Sequence, residues 1–456
     1  MQQLVALLVL ISLPVRAAPV SGAGVVVALL THSDAGRGFA RPELVRRMAH
    51  RARARRRLLS SHERPVRARV RAGLVAAAGG IATNEYLVHL AVGTPPRPVA
   101  LTLDTGSDLV WTQCAPCRDC FDQGIPLLDP AASSTYAALP CGAPRCRALP
   151  FTSCGGRSCV YVYHYGDKSV TVGKIATDRF TFGDNGRRNG DGSLPATRRL
   201  TFGCGHFNKG VFQSNETGIA GFGRGRWSLP SQLNATSFSY CFTSMFDSKS
   251  SIVTLGGAPA ALYSHAHSGE VRTTPLFKNP SQPSLYFLSL KGISVGKTRL
   301  PVPETKFRST IIDSGASITT LPEEVYEAVK AEFAAQVGLP PSGVEGSALD
   351  VCFALPVSAL WRRPAVPSLT RCTWRAPTGS SHAATTCSRT SAHACCASCW
   401  TPRQGSRPSS ATSSSRTRTS CTTSRTTACP SLRHGATASA RSFTLVTSSV
   451  CTKKNT

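Results

Sequence analysis

The sequence contains no aspartate or glutamate in residues 351–456, although it carries 14 lysines and arginines there. Acidic residues are also scarce at the other end, because residues 1–71 hold 3 of them against 14 basic residues. The middle of the chain, residues 72–350, balances 24 basic against 21 acidic residues. The net charge of +28 therefore belongs mainly to the two ends, and it does not indicate a basic nucleic-acid-binding fold in the middle.

The N-terminus lacks an apolar run long enough to cross a membrane. The run from Leu4 to Leu13 is shorter than the roughly 20 residues that a spanning helix needs. Small residues follow it at Ala17 and Ala18, which predicts a secretory signal peptide at residues 1–18 rather than a buried N-terminal strand. We therefore expect a secreted, extracellular or vacuolar protein in preference to a chloroplast one, with no membrane contact once the signal is removed.

The cysteines lack the spacing of a zinc site. No two Cys-x-x-Cys units stand at finger spacing, and a secretory context favours oxidation. We expect disulfides, with the connectivity left open, among Cys114, Cys117, Cys120, Cys141, Cys146, Cys154, Cys159 and Cys204. Neither a metal nor a cofactor is expected. Asn215 and Asn234 are glycosylation candidates, because each begins an Asn-x-Thr sequon.

Helical patterns are few, and short β patterns dominate from Asn84 onward. Runs such as EYLVHLAVGTPP, VALTLDTGSDLVW and SLYFLSLKGISVG are typical of a mostly β protein. The clearest helix is PEEVYEAVKAEFAAQVG, which begins with Pro322 and stops at Gly338. The arginine-rich stretch before the strands, including residues 46–57, is either a solvated segment or a propeptide whose cations cover an acidic cleft.

Two stretches repeat one pattern, an aspartate followed by a hydroxyl residue and a glycine behind an apolar run. They are Asp104-Thr105-Gly106 in LTLDTGSDLVW and Asp313-Ser314-Gly315 in STIIDSGASITTLP. Two carboxylates brought about 3 Å apart cannot both ionise readily, so they share a proton and titrate as a unit. One can then deprotonate a water molecule while the other protonates a peptide carbonyl oxygen. The repeat therefore predicts peptide-bond hydrolysis, against the alternative of two unrelated β-turns.

From about Asn84 to Val366 the chain resembles the pepsin-type aspartic proteases, specifically their plant nepenthesin-like branch. EYLVHLAVGTPPRPVALTLDTGSDLVWTQC is similar to the first lobe, and IIDSGASITTLPEEVYEAV is similar to the second catalytic loop and its helix. The cysteine-rich stretch from Cys114 to Cys159 resembles the insert that marks the branch. The resemblance implies a mostly β, bilobal fold, with a propeptide at 19–80, a first catalytic lobe at 81–255 and part of a second at 256–369. It also implies a monomeric endopeptidase that acts on polypeptides and not on nucleic acid.

The resemblance makes Asp104 and Asp313 the catalytic pair, and Ser107 the hydroxyl that donates a hydrogen bond to the first of them. The second loop departs from the family pattern, because Ala316 stands where a hydroxyl is common. Losing a donor to the ionised form raises the pKa of a carboxyl. The sequence therefore predicts a less acidic optimum than that of pepsin.

Other residues of the first lobe also match the family. Tyr165, followed by Gly166, corresponds to the flap tyrosine that closes over substrate, and Trp111 corresponds to the indole that hydrogen-bonds it. Hairpin and core aromatics are the simpler interpretation of either residue alone. The stretch 218–225, GIAGFGRG, resembles the strand that crosses behind the first aspartate loop.

The β pattern stops near Thr370. Residues 370–456 are rich in Ser, Thr, Arg and Cys, and no apolar-apolar-Gly strand for the second loop is evident after Val366. This composition predicts a basic, disordered tail and an incomplete C-terminal lobe. We hypothesise that the tail is read in a shifted frame or from a mis-spliced exon, the alternative being a genuine basic tail. Translating the other two frames decides between them, because an acid-containing, strand-like continuation is expected only for a shifted frame.

Three functional classes remain open at this point. An aspartic endopeptidase explains both loops, the flap and the insert, although an incomplete second lobe would impair it. A catalytically impaired secreted binding or inhibitor-like protein of the same fold explains the scaffold. A basic nucleic-acid-binding protease-like protein explains the two ends. The presence of both aspartates favours the endopeptidase.

Overall fold

The computed structural model describes most of the chain up to Gly338 and separate strands after it. The described residues are 26–40, 43–44, 46–48, 86–147, 151–165, 168–183, 196–210, 212, 215–240, 242, 251–256, 271–307, 310–316, 320–338 and, beyond these, the backbone of nine strands between Cys352 and Ser449. Strands dominate this part of the chain, which confirms the prediction of a mostly β protein.

The strands of the first half are β1 (Val26–His32), β2 (Tyr86–Val92), β3 (Arg97–Asp104), β4 (Val110–Gln113), β5 (Ala137–Ala138), β6 (Thr152–Gly155), β7 (Ser158–His164), β8 (Val170–Thr181), β9 (Thr197–Lys209), β10 (Gly218–Gly221), β11 (Ser237–Tyr240) and β12 (Ser251–Leu255). Those of the second half are β13 (Val271–Phe277), β14 (Tyr286–Leu288), β15 (Leu290–Val295), β16 (Thr298–Arg299), β17 (Thr310–Asp313), β18 (Thr320–Pro322), β19 (Cys352–Ala354), β20 (Thr370–Arg375), β21 (Ser380–Thr385), β22 (Ser388–Arg389), β23 (His393–Cys395), β24 (Thr401–Arg403), β25 (Ser409–Ala411), β26 (Thr426–Arg433) and β27 (Arg441–Ser449). Helices of the described residues include α1 (Pro144–Arg147), α2 (Leu229–Gln232) and α3 (Glu323–Val337), and 3-10 turns lie at Pro130–Ala132 and Glu304–Phe307. Residues 43–44 and 46–48 are also helical.

The strand that carries Asp104 lies in the interior of the main sheet. β3 pairs antiparallel with β2 and parallel with β10, where Gly221 stands opposite Asp104. β10 also pairs antiparallel with β4. The predicted strand behind the first aspartate loop is therefore present. Its four partners in β3, from Leu101 to Asp104, are buried, as are Val99 and Ala100 before them. This burial holds the end of β3 in a fixed position.

The second aspartate loop has a matching arrangement, which corrects the sequence analysis. β17 pairs antiparallel with β14 and parallel with β25, where Asp313 stands opposite Ala411. The expectation that no strand after Val366 would lie beside this loop is wrong at the level of the backbone. Ladder hydrogen bonds join main-chain groups, which serine and alanine carry as well as valine does. The apolar-apolar-Gly side-chain pattern expected for this strand is not needed for the pairing.

Other strands of the tail also pair with the earlier part of the chain. β26 pairs with β11, β27 pairs with β13, and β20 pairs with β15. In the ladder of β19 with β23, Cys352 stands opposite Cys395. The described strands of residues 370–456 are therefore paired within the sheets. The domain bounds, with a disordered or frame-shifted tail at 370–456, stay a prediction.

A strand near the N-terminus was missed by the sequence analysis. β1 lies between β2 and β12, and its alternate residues Val26, Ala28 and Leu30 are buried. The sequence predicted only a basic propeptide here, because the partner strands of β1 lie far along the chain. Just after β1, Oδ1 of Asp34 forms an ion pair with Nε of Arg47 at 3.1 Å. The arginines of 51–57 lie outside the described residues.

The helix α3 follows its predicted pattern closely. It buries Val325, Tyr326, Val329 and Phe333, and it ends at Gly338, whose φ of 62° suits glycine. Pro322 is the N-cap residue, one position before the first helical residue. The sequence had predicted it as the first helical residue.

All eight candidate cysteines form disulfides. The pairs are Cys114–Cys204, Cys117–Cys120, Cys141–Cys154 and Cys146–Cys159. Three of the four bridges lie wholly within the insert, and the first ties the end of β4 to β9. The structure thereby supplies the connectivity that the sequence analysis left open.

The two glycosylation sequons differ in accessibility. The side-chain amide of Asn215 donates to the main-chain oxygen of Ser33 at 2.6 Å, and Thr217, two residues on, is buried. In the second sequon, Asn234 and Thr236 are both exposed. A glycan at the first sequon would occupy the nitrogen that contacts Ser33.

We expect the protein from a secretory host to carry a glycan at Asn234 and none at Asn215. Peptide mass mapping before and after enzymatic deglycosylation measures the occupancy of each site. Asn234→Gln should remove the glycan, and Asn215→Gln should leave the glycan mass unchanged. A glycan found on Asn215 would contradict the expectation.

Within the described residues, no helix is long and apolar enough to span a membrane. The same residues contain no cluster of three or more His, Cys, Asp or Glu side chains that could hold a metal ion.

Candidate active site

The two aspartates occupy equivalent positions at the ends of two buried strands. Asp104 closes β3 and Asp313 closes β17, and their side chains are 0% and 1% exposed. Each carboxylate is oriented by its own loop: Oδ1 of Asp104 accepts from the Gly106 amide at 3.0 Å, and Oδ1 of Asp313 accepts from the Gly315 amide at 2.9 Å. The repeated sequence pattern thus becomes a repeated local geometry.

The two loops are joined to each other by a reciprocal pair of hydrogen bonds. The Thr105 amide donates to Oγ of Ser314 at 2.9 Å, and the Ser314 amide donates to Oγ1 of Thr105 at 2.8 Å. The Ser314 hydroxyl in turn donates to the main-chain oxygen of Leu103 at 2.9 Å. Thr105 and Ser314 are both buried, so these bonds fix the loops against each other where water does not compete.

The first carboxylate has a donor that the second lacks at the equivalent position. Oγ of Ser107 donates to Oδ2 of Asp104 at 2.6 Å. At the corresponding place in the second loop stands Ala316, whose amide donates to the main-chain oxygen of Asp313 at 3.3 Å. A methyl group there offers no hydrogen bond to the carboxylate, so the two aspartates differ in environment.

Restoring this donor is expected to change the pH dependence of activity. A hydroxyl at position 316 can stabilise the ionised form of the neighbouring carboxyl and so lower its pKa. We expect Ala316→Thr to shift the pH–rate profile towards acid, with Ala316→Val as the control of similar size that adds no donor. A profile that is the same in the wild-type chain and in Ala316→Thr would count against this role.

Trp111 and Tyr165, for which the sequence predicts a role in a flap, are hydrogen-bonded to each other. Nε1 of Trp111 donates to Oη of Tyr165 at 2.7 Å, and Trp111 is fully buried. Tyr165 lies at the turn between β7 and β8, where its amide donates to the oxygen of Ser169 at 2.8 Å. Burial and the neighbouring Tyr163 raise the pKa of Tyr165, so its hydroxyl keeps its proton. Gly166 lies outside the described residues.

A third acidic residue near the site was not singled out from the sequence. Asp108 follows the first loop, its Oδ1 accepts from the Gly225 amide at 2.9 Å, and its Oδ2 accepts from the hydroxyl of Ser284. Burial raises the pKa of Asp108, and the bonds from Ser284 and Gly225 oppose that rise. The spacing Asp-x-x-x-Asp in LTLDTGSDLVW was visible, but its partners Gly225 and Ser284 lie more than a hundred residues away.

Family models match both halves of the chain. The model described as Xylanase inhibitor N-terminal matches residues 86–257, and the one described as Xylanase inhibitor C-terminal matches residues 285–373. Residues 374–456 lie beyond the second match.

Individual relatives are named as proteases. Aspartic proteinase nepenthesin-1 of Nepenthes gracilis is 38% identical over 342 residues, which cover 72% of this chain and 72% of the relative. Nepenthesin-2 of the same plant is 36% identical over 340 residues, with 72% of each chain covered. Aspartyl protease family protein 2 of Arabidopsis thaliana is 40% identical over 287 residues, 60% of this chain and 56% of the relative.

Among solved structures, the chain is similar to Basic 7S globulin from soybean. The TM-score is 0.59 at 14% identity, and the match covers 94% of this chain and 97% of that chain. Conglutin gamma from lupine seeds matches with a TM-score of 0.59 at 13% identity, covering 93% and 95% of the two chains. At these identities the likeness shows the fold alone. The identity and coverage of the two nepenthesins show the family. The chain belongs to the plant pepsin-like aspartic proteases, in their nepenthesin-like branch.

Proposed function

We propose that this chain is an aspartic endopeptidase whose catalytic pair is Asp104 and Asp313. The observation that carries the proposal is the reciprocal hydrogen-bond pair between Thr105 and Ser314. It links the two aspartate-bearing loops directly, and a shared proton requires two carboxyls that are held together. The burial of both aspartates supports the same conclusion.

In the proposed mechanism one carboxylate removes a proton from a water molecule as the water attacks the peptide carbonyl. The other carboxyl gives its proton to the carbonyl oxygen, and the pair then returns a proton to the leaving amine. Ser107 stabilises charge on Asp104 through its hydroxyl. Tyr165, held by Trp111, would cover the bound peptide and limit the access of bulk water.

The remaining features of the proposal come from the sequence. The substrates are polypeptides, and the protein works as a secreted or vacuolar monomer after removal of its signal and propeptide. Neither nucleic acid nor a membrane takes part. No cofactor is needed, because the water and the two carboxyls supply every proton transfer in the mechanism.

A second candidate function is binding without catalysis. The matching family models carry the description xylanase inhibitor, which favours a binding protein on the same scaffold. The basic stretch after Thr370 and the missing donor at Ala316 also distinguish this chain from the usual enzyme pattern. Both candidates use the same fold, so an activity measurement separates them.

The test is a cleavage assay on the acid-treated full chain with a quenched fluorescent peptide. The proposal expects cleavage that pepstatin blocks and that Asp104→Asn removes. Asp122→Asn is the matched control, because Asp122 is an exposed aspartate of the same lobe, and it should cleave normally. A folded chain without activity would favour the binding protein, whereas activity that survives Asp104→Asn would overturn the assigned dyad.

A further inference from the structure

One disulfide of the insert differs from the other three in its size and surroundings. Cys117 and Cys120 are separated by 3 residues along the chain, whereas the other bridges span 13, 13 and 90 residues. Both cysteines are partly exposed, and the two residues between them, Arg118 and Asp119, are exposed. A bridge across so short a loop restricts the unfolded chain least, so the fold depends on it less than on the long bridge.

The two sulfur atoms face different hydrogen-bonding groups. Sγ of Cys120 accepts a hydrogen bond from the side-chain amide of Asn208 at 3.1 Å. Sγ of Cys117 lies 3.3 Å from the main-chain oxygen of His206. After reduction, the amide donor stabilises a thiolate at Cys120, and the carbonyl oxygen accepts the proton of a thiol at Cys117. The surroundings therefore already suit the reduced pair.

The loop closed by the bridge contains one cation and one paired acid. Arg118 lies between the two cysteines, and Lys209 next to Asn208 forms an ion pair with Asp119 at 3.0 Å. Lys174 and Arg118 both act electrostatically on His206, and burial with these two cations lowers the pKa of that imidazole. Because Lys209 is paired with Asp119, Arg118 is the cation left beside the two cysteines, and a partly exposed cysteine beside a cation has the character of a reactive one.

We propose that Cys117–Cys120 is a redox-active disulfide, which a dithiol reductant opens while the lobe stays folded. A thiolate of the reductant attacks Sγ of Cys117, the sulfur–sulfur bond breaks, and Cys120 leaves as a thiolate next to Asn208. The second thiolate of the reductant then attacks the mixed disulfide and releases Cys117. The bridge gains two electrons, and Cys117 takes up one proton while Cys120 stays a thiolate. The reductant becomes a cyclic disulfide, and the second of its two protons goes to solvent.

Opening the bridge acts on the residue that holds the flap tyrosine. Phe121, next to Cys120, stacks on Phe212 with ring centroids 4.4 Å apart and meets the Trp111 indole edge-on at 6.4 Å. Trp111 is the donor to Tyr165. Once the bridge is open, the loop no longer restrains Phe121 against the Trp111 indole. The indole that donates the hydrogen bond to Tyr165 is then held less rigidly.

The other bridges explain why the lobe survives this reaction. Cys114 and Cys204 are fully buried, and Cys146 and Cys159 are 3% and 0% exposed. A reductant reaches those sulfurs only after the lobe opens. Cys141–Cys154 is the informative comparison, because Cys154 is exposed and exposure alone would make that bridge the first to react.

The test is differential alkylation of the full-length folded chain under rising concentrations of dithiothreitol at neutral pH, followed by peptide mass mapping. We expect Cys117 and Cys120 to be labelled first, with an unchanged circular dichroism spectrum and a shift in tryptophan emission. Arg118→Gln should slow the opening several-fold through loss of the cation. Arg147→Gln, an exposed arginine next to Cys146, is the matched control and should leave the rate unchanged.

Three results would overturn the proposal. Cys141–Cys154 could open first, Cys117–Cys120 could open only as the circular dichroism signal is lost, or tryptophan emission could stay constant as the bridge opens. Cys117→Ser combined with Cys120→Ser should show the emission of the reduced protein without reductant. None of these measurements uses proteolysis, so their outcome does not depend on whether the chain is an active endopeptidase.

Discussion

Replacing Asp313 by asparagine is expected to lower kcat/KM for a peptide substrate, measured at acidic pH, by about 10³-fold or more. That is the scale of a lost acid–base group. An amide cannot share a proton with Asp104 or pass one to the carbonyl oxygen. The substitution keeps the shape of the side chain, and its Oδ1 can still accept from the Gly315 amide, which is 2.9 Å from the present carboxylate. The loss should therefore fall on kcat, with KM and thermal stability nearly unchanged.

A matched control and a double variant sharpen this test. Glu323→Gln removes an exposed carboxylate at the start of α3 and should leave kcat unchanged. Asp104→Asn combined with Asp313→Asn should be about as inactive as either single variant, because groups that act as a unit are not additive. An Asp313→Asn protein with more than a tenth of the wild-type activity would show that the second loop is not half of a catalytic pair.

Replacing Gly218 by alanine is expected to destabilise the first lobe strongly. A Cβ at this position would lie 2.0 Å from the main-chain oxygen of Trp111 and 2.7 Å from Cα of Thr112. Both atoms belong to the backbone of β4, which pairs with β10 and cannot move without breaking that ladder. We expect a loss of about 3 kcal/mol in the free energy of unfolding, the upper range for overpacking a core.

Gly142→Ala is the matched control for this prediction. A Cβ at Gly142 meets nothing within 4 Å, so its effect on the free energy of unfolding should stay within about 0.5 kcal/mol. Urea unfolding followed by tryptophan emission measures both variants. Equal midpoints for the two variants would mean that β4 and β10 can separate freely, and the close packing behind Asp104 would then have no energetic significance.

The parts of the site that sequence analysis found are those whose signal is local. Asp104 and Asp313 each stand within a short motif, and the pairing of Trp111 with Tyr165 came from the family resemblance. Local patterns of this kind fix the turn and the strand before it, because glycine and hydroxyl residues have strong positional preferences in loops. The helix α3 was predictable for the same reason, from its spacing of apolar residues and its stop at Gly338.

The parts that sequence analysis missed depend on contacts between distant residues. β1 finds its place between β2 and β12, and β25 lies beside β17, and neither partner can be read from the strand itself. Asp108 is a partly buried carboxyl whose hydrogen-bond donors, Ser284 and Gly225, come from distant parts of the chain. The disulfide pairs were undecidable for the same reason, since eight cysteines allow many connectivities.

The bond between Thr105 and Ser314 has a consequence for synthesis of the chain. Its two residues are 209 positions apart, so it cannot form until the second loop has left the ribosome and folded. Domains emerge and fold from the N-terminus first. Until the second loop folds, the first half carries Asp104 and Thr105 without Ser314, the hydrogen-bond partner of Thr105. A chain interrupted during translation therefore lacks this bond, and the two aspartate loops are joined only in the last stage of assembly.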